Sequence, residues 1–356
     1  MIAFVAWTPL HLINIINTKV NYFPEVKSDL YIYGEFSSSF EMYEKIKKEE
    51  LFTHVFYIDL EKNENKISKI VNLILNKNIF IEYTAIYEKI FIQGENYFSK
   101  ILYGQSKKKN PDLELNYIED GLGAYVGSDI LNLKNKKNKL IDFLNPYSIF
   151  KSKLTNLYVY EPDLVEMKYQ ADYYPLDKLT KMNDATRIIQ DVFSLEDTKE
   201  RFPGKILFLD QPLEDDGFAI DEQPLFSQLI ELVGKENFWI KLHPRSNKNK
   251  YEGFKIIETS LPWELYFLNY DFTQTMIISA VSTAAFTPKL MMNINSSIIL
   301  LPKFIQHQQI KATEDKRTHM MLDNIIRFSE EFNSLNSNSI YLPKTTKELK
   351  SLVQSY

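Results

Sequence analysis

Trp239-Ile240-Lys241-Leu242-His243-Pro244-Arg245 reads as an apolar strand closed by a histidine and a proline. Proline cannot donate to a strand ladder and biases the residue before it toward extended backbone, so His243 is expected at the carboxyl end of a buried strand. Open α/β sheets place their ligands at that end. The chain has five histidines, and this one sits beside the Arg245 guanidinium, a pairing suited to a phosphate leaving group. The plainer reading is a strand-end histidine satisfied by a backbone carbonyl, and the other strand ends must decide between the two.

Working outward, short β-branched and aromatic runs alternate with longer amphipathic stretches, the pattern of parallel sheets with crossover helices. In the first half the runs 2–7, 29–33, 54–58, 89–92 and 114–118 read as strands. Thr8 and Pro9 open a helix over 8–16 as N-cap and first helical residue, and 40–50 reads as a second helix. Residues 126–200 are less regular, with a Lys/Asn-rich stretch near 131–139. A second series follows at 205–209, 238–242, 254–257, 276–279 and 297–301. The expected architecture is α/β, with two Rossmann-like doubly wound domains facing a central cleft. The first spans 1–190 and the second 191–340, with a hinge near 185–203 and a closing helix in 341–356 that packs back on the first domain.

At 356 residues the chain has room for two ordinary domains, and 44% apolar with 25% charged residues is a globular composition. A net charge of −5, from 42 basic and 47 acidic side chains, argues against a nucleic-acid footprint. Lys107-Lys108-Lys109 and Lys136-Lys137 read as solvated loops, with weak attraction to an anionic membrane surface as the second reading. There is no cysteine, so no disulfide, thiolate metal site or thiol nucleophile is available. Met1 to Trp7 is apolar but lacks a basic start and breaks at Thr8-Pro9, so neither a signal peptide nor a membrane span is expected. The expected location is the cytoplasm, with at most peripheral contact at the inner membrane face. Ten glycines and no G-x-G-x-x-G or Walker A pattern leave glycine-loop phosphate cradles unsupported.

Each remaining motif follows a strand. Glu119-Asp120-Gly121 sets two carboxylates before a turn, and Asp120 is placed to accept a proton from a hydroxyl, or simply to form the turn. Glu214-Asp215-Asp216 is an acidic loop without calcium-loop spacing, more often solvated than metal-binding, and one of its acids rivals Asp120 as base. Glu264, just after Pro262, suits a helix N-terminus or two ribose hydroxyls. Ser282-Thr283 ahead of small residues suits an N-cap and an anion seat at once.

The set resembles the bacterial sialyltransferases of glycosyltransferase family 52, with echoes in other bacterial sialyltransferases of the GT-B fold. The resemblance rests on Glu119-Asp120-Gly121, His243-Pro244, Ser282-Thr283 and the early Thr8-Pro9-Leu10, and it spans roughly residues 2–302. It implies a donor, CMP-sialic acid, and inverting, metal-independent transfer to a galactose-terminated glycan, with α2,3 linkage and a role in capsule or lipooligosaccharide synthesis. No cofactor is implied. His243 would neutralise or protonate the departing phosphate, Ser282 and Thr283 would bond it, and Glu264 would hold the ribose. Asp120 ranks first as base, with Gly121 shaping its turn, and Glu214, Asp215 or Asp216 second, because the acidic loop departs from the family pattern. Relatives allow a homodimer, which no heptad or apolar stripe in the sequence derives. The rivals are a GT-B hexosyltransferase using another nucleotide sugar and a non-catalytic nucleotide- or sugar-binding protein.

Overall fold

In the computed structural model the described residues are all except 37, 60–64, 78–84, 127–129, 132–135, 166–168, 196–199, 214, 221–222, 244, 247–250, 258–260, 309–314, 337–339 and 356. The chain divides into two compact units, Met1–Leu195 and Glu196–Tyr356.

The first unit contains β1 (Ile2–Ala6), β2 (Ser28–Tyr33), β3 (His54–Ile58), β4 (Lys89–Ile92), β5 (Glu114–Ile118), β6 (Leu154–Val159) and β7 (Asp172–Pro175). Its helices are α1 (Pro9–Tyr22), α2 (Ser39–Lys48), α3 (Lys66–Ile74), α4 (Tyr97–Lys109), α5 (Lys136–Leu144) and α6 (Asp184–Phe193). The strands form one parallel sheet in the order β3-β2-β1-β4-β5-β6-β7. All five residues of β1 are buried, as expected of a central parallel strand covered on both faces. Thr8 caps α1 by accepting the His11 N–H at 3.2 Å, and Pro9 occupies the first turn. Phe4 and Phe91 stack at 4.7 Å on neighbouring strands, part of the aromatic core of a protein without disulfides.

Residues 126–200, which read as irregular, supply β6, β7, α5 and α6. The strand signal of β6 is broken by Asn156, whose amide donates to Asn116 Oδ1 at 2.6 Å inside the sheet. β7 is a largely exposed edge strand ending in proline, so no alternation marks it.

The second unit contains β8 (Glu200–Arg201), β9 (Ile206–Leu209), β10 (Phe238–Lys241), β11 (Lys255–Ile256), β12 (Tyr270–Asp271), β13 (Met276–Ser279), β14 (Ser297–Leu300) and β15 (Ile340–Tyr341). Its helices are α7 (Gln223–Val233), α8 (Trp263–Asn269), α9 (Thr287–Leu290), α10 (Pro302–Gln308), α11 (Lys316–Leu335) and α12 (Thr346–Gln354). A six-stranded parallel sheet runs β11-β10-β9-β13-β14-β15, and β8 pairs with β12 apart from it. The sequence suggests that the closing helix returns to the first domain; the contacts described for α12 are with α7 of its own unit. No helix among the described residues is long and apolar enough to cross a membrane.

Candidate active site

In the first sheet the winding reverses at β1: the chain goes outward through β2 and β3, then crosses to β4 on the other side. Such a switch point opens a crevice over the carboxyl ends of the two central strands. β1 delivers Trp7, Thr8 and, one turn into α1, His11; β4 delivers Gln93; β5 delivers Glu119, Asp120 and Gly121.

His11 is fully buried, its ring set edge-on to Trp7 at 4.3 Å. Its Nδ1 accepts the Trp7 backbone N–H at 3.3 Å, so in the neutral ring Nε2 carries the proton. Nε2 lies 3.1 Å from Asp120 Oδ1, although the N–H is not aimed well enough for a full hydrogen bond. Acid–base pairs in unliganded sites commonly show this looseness. Gln93 donates to the His11 carbonyl at 3.1 Å and holds the start of α1 against β4. The Asp120 side chain is 43% exposed. It heads the 3-10 turn Gly121–Ala124 without making a side-chain cap bond, so turn formation does not account for the carboxylate. Gly121 has φ +58°, and a Cβ there would meet nothing within 4 Å; the backbone conformation, not space, calls for glycine.

Glu119 points the other way. It is buried, its Oε2 accepts the Tyr125 hydroxyl and the Tyr160 N–H (2.7 Å), and burial pushes its pKa up to about 8 against those two bonds. Its backbone carbonyl accepts from Asn14 of α1 at 2.9 Å. Of the two adjacent acids, Glu119 is built into the core and Asp120 faces out. Sequence reasoning missed His11, Gln93 and Glu35. Glu35 follows β2, and desolvation raises its carboxyl above the usual range, opposed by Lys69 and His11 nearby.

In the second sheet the reversal falls between β9 and β13. Leu209 is in register with Lys241 on one side and Ser279 on the other, so the three loops that follow leave the sheet at one level. They carry Asp210, His243 and Ser282 to the same edge. Asp210 is buried, and its carboxylate accepts the His243 N–H at 3.2 Å and the Tyr251 hydroxyl. His243 Nδ1 accepts the Arg245 N–H at 3.2 Å, which leaves Nε2 as the imidazole donor. Burial, helped by Arg245, holds the imidazole pKa below its ordinary value, so His243 is a neutral donor near pH 7.

Ser279 Oγ donates to the Leu209 carbonyl at 3.0 Å and accepts the Ser282 N–H at 2.9 Å. Ser282 Oγ accepts the Ala284 N–H at 3.3 Å, capping the 3-10 turn Thr283–Phe286. The small-residue stretch therefore forms a short turn running into α9, and an anion seat here rests on its N–H groups more than on a long helix dipole. Trp263 Nε1 bonds the Ala284 carbonyl at 2.9 Å and ties α8 to this turn. Glu264, in the first turn of α8, interacts electrostatically with Lys241, whose amine burial drives below its usual pKa.

Glu214 and Pro244 lie outside the described residues, as does the side chain of Thr283. Asp215 is exposed on its turn. Asp216 is gripped by Arg245 through two bonds of 2.5 and 2.9 Å, and that guanidinium holds its carboxyl below the usual range. Asp216 is accordingly the weaker base, and Arg245 is engaged by it. Among the described residues no group of three His, Asp or Glu side chains converges as metal ligands. A cavity of about 830 Å³, lined by Arg201, Lys205, Gln274 and Gln354, opens at the amino-terminal edge of β9 and β13, the far end of the sheet from His243 and Ser282.

The fold is similar to that of a 2,6-sialyltransferase from Vibrionaceae Photobacterium sp. JT-ISH-224, solved in a ternary complex with donor product CMP and acceptor substrate lactose. The TM-score is 0.51 at 11% identity, over 96% of this chain and 78% of that one. At that identity the likeness shows the fold alone, the GT-B class with its two Rossmann-like doubly wound units. A putative UDP-N-acetylglucosamine 2-epimerase from Listeria monocytogenes aligns at TM-score 0.45 and 11% identity over 99% of this chain and 95% of that one. A spinosyn rhamnosyltransferase aligns at TM-score 0.45 and 9% identity over 100% of both chains. No curated protein sequence matches the chain. The motif resemblance is to glycosyltransferase family 52; the family model that matches is described as an alpha-2,8-polysialyltransferase, which supports sialyl transfer and leaves that finer assignment unconfirmed. The match runs over residues 15–301, and the chain belongs to the alpha-2,8-polysialyltransferase (POLYST) family.

Proposed function

We propose that this sialyltransferase moves sialic acid from CMP-sialic acid to a glycan hydroxyl in one inverting displacement. The observation that carries the reading is the His11–Asp120 contact at the first switch point, a half-exposed carboxylate backed by a buried imidazole and free of any capping duty. Asp120 takes the proton of the acceptor hydroxyl as its oxygen attacks the anomeric carbon. The bond from that carbon to the CMP phosphate breaks, and the electron pair leaves with the phosphate. The anomeric carbon is tertiary and bears a carboxylate, so the transition state is oxocarbenium-like and charge accumulates on the leaving group. His243 Nε2–H and the Ser282-Thr283 turn stabilise that charge, and Glu264 accepts from the ribose. Donors preorganised in this way are each worth about 3 to 4 kcal/mol when they behave as oxyanion-hole groups. No metal has a role in this scheme.

The motifs favour a galactose-terminated acceptor joined α2,3. The family match favours a second acceptor, sialic acid itself joined α2,8. Cysteine-free composition and the CMP donor suit a cytoplasmic enzyme of capsule or lipooligosaccharide synthesis. A donor panel followed by nucleotide release tests the reading: CMP should appear from CMP-sialic acid with lactose or with sialylated lactose, and the preferred acceptor assigns the linkage. Release of UDP from UDP-sugars without CMP would make the chain a hexosyltransferase, and no turnover of any donor would leave a binding protein.

A further inference from the structure

The third and fifth helices of the first unit bury Leu73 and Ile141 but leave most of their other large apolar residues in water. In α3 the buried positions include Asn72, while Ile67, Val71 and Leu75 at its C-cap, spaced four apart on one face, are 74%, 44% and 68% exposed. In α5 Asn138 is buried, its amide bonding Glu95 at 3.1 Å, while Leu140, Phe143 and Leu144 are 52%, 82% and 45% exposed. The two helices touch, and Asn145, just past α5, donates to the Leu73 carbonyl of α3 at 2.8 Å. Two touching helices thus each leave a set of large apolar side chains in water, which monomeric proteins seldom do on this scale without a use.

Lysines border these side chains. Lys66 and Lys77 flank the α3 stripe, Lys136 and Lys139 stand on α5, and all four are exposed without an ion-pair partner among the described residues. The chain as a whole is acidic at −5, so this local excess of positive charge runs against the average. Apolar side chains fringed by lysines are what a helix lying in a bilayer interface presents: the apolar groups enter the acyl boundary and the ammonium groups meet anionic headgroups. A polar protein partner would match neither feature, and a second copy of this chain would bring like charges together.

We propose that the α3–α5 face docks the first unit onto an anionic lipid surface. The place of these helices fits that role. α3 is the helix that follows β3, α5 lies in the connection from β5 to β6, and Lys69 of α3 is within electrostatic reach of Glu35, which follows β2. A docked first unit would hold its acceptor edge beside the headgroups, where a lipid-linked glycan presents its sugars.

Co-sedimentation with vesicles of phosphatidylcholine, with and without a third of phosphatidylglycerol, tests this directly. The wild-type chain should pellet with the anionic vesicles and much less with the neutral ones. An Ile67→Asp/Phe143→Asp variant should lose anionic-vesicle binding roughly tenfold or more, while its melting temperature and its turnover of a soluble acceptor stay as in the wild type. Both side chains are mainly in water, so neither change opens a cavity. A wild type that ignores anionic vesicles, a variant that binds them as well as the wild type, or equal binding to neutral vesicles would overturn the proposal. So would a concentration-dependent dimer that the same variant abolishes. The vesicle-binding and melting outcomes do not depend on whether CMP-sialic acid is the donor, so they fail separately from the proposed function.

Discussion

Replacing Asp120 by Asn removes the proposed base at almost constant shape. The side chain is 43% exposed, makes no cap bond, and among the described residues has His11 Nε2, at 3.1 Å, as its ion-pair partner. Loss of an exposed polar contact of this kind costs less than about 1 kcal/mol of stability. His11 keeps its bond from the Trp7 N–H, and Gly121 keeps the left-handed backbone of the turn, so the fold of the edge is retained. A general base contributes about 10²- to 10⁴-fold, equivalent to about 2.7 to 5.4 kcal/mol on the barrier. Asp120→Asn should therefore lower kcat within that range while the donor KM, which the proposed donor residues of the second unit would set, changes by less than about threefold. The assay is CMP release at saturating donor, with a thermal melt as the control for folding. A folded variant whose kcat stays within about threefold of the wild type would refute the assignment and move the base to the acidic loop at Glu214 and Asp215.

His243→Ala should lower kcat by about 10²- to 10³-fold and raise donor KM far less, because its donor acts on charge that develops only as the phosphate leaves; an equal loss of CMP affinity with kcat intact would contradict that role. Glu119 supplies a pH test of the buried network. Its carboxyl ionises near 4.5 in the unfolded chain and at about 8 when folded. Between those values the folded state holds a proton that the unfolded state has shed, so stability should fall as pH rises through the window, by at most about 1.4 kcal/mol per unit. Denaturant midpoints of Glu119→Gln should lose that slope, and an unchanged slope would place its origin elsewhere. Activity should survive EDTA; activity lost to the chelator and restored by a divalent cation would overturn the metal-free scheme.

Most strands of both sheets were legible because β1 and β9 are short, wholly apolar runs and β13 is apolar up to its closing Ser279, and parallel strands covered on both faces have little else to show. β6 hid behind its internal Asn156, and β15 is two residues long at a sheet edge. The motif acids and the histidine were readable from their places after strands. His11 was not, because a histidine inside an apolar helix reads as core; its partnership with Asp120 joins positions more than a hundred residues apart and arises from the order β1-β4-β5. The Asp210 support under His243 was hidden for the same reason. The outward stripe of α3 is not legible in the sequence, because apolar residues four apart ordinarily mark a buried face, whereas here Asn72 and Leu73 face inward.

A structure with CMP bound tests the central claim most directly. The account predicts the cytidylate phosphate within about 3 Å of His243 Nε2 and of the Ser282 turn, with the ribose at Glu264. Cytidylate seated elsewhere, for instance in the cavity lined by Arg201 and Lys205 at the opposite edge of the sheet, would contradict it.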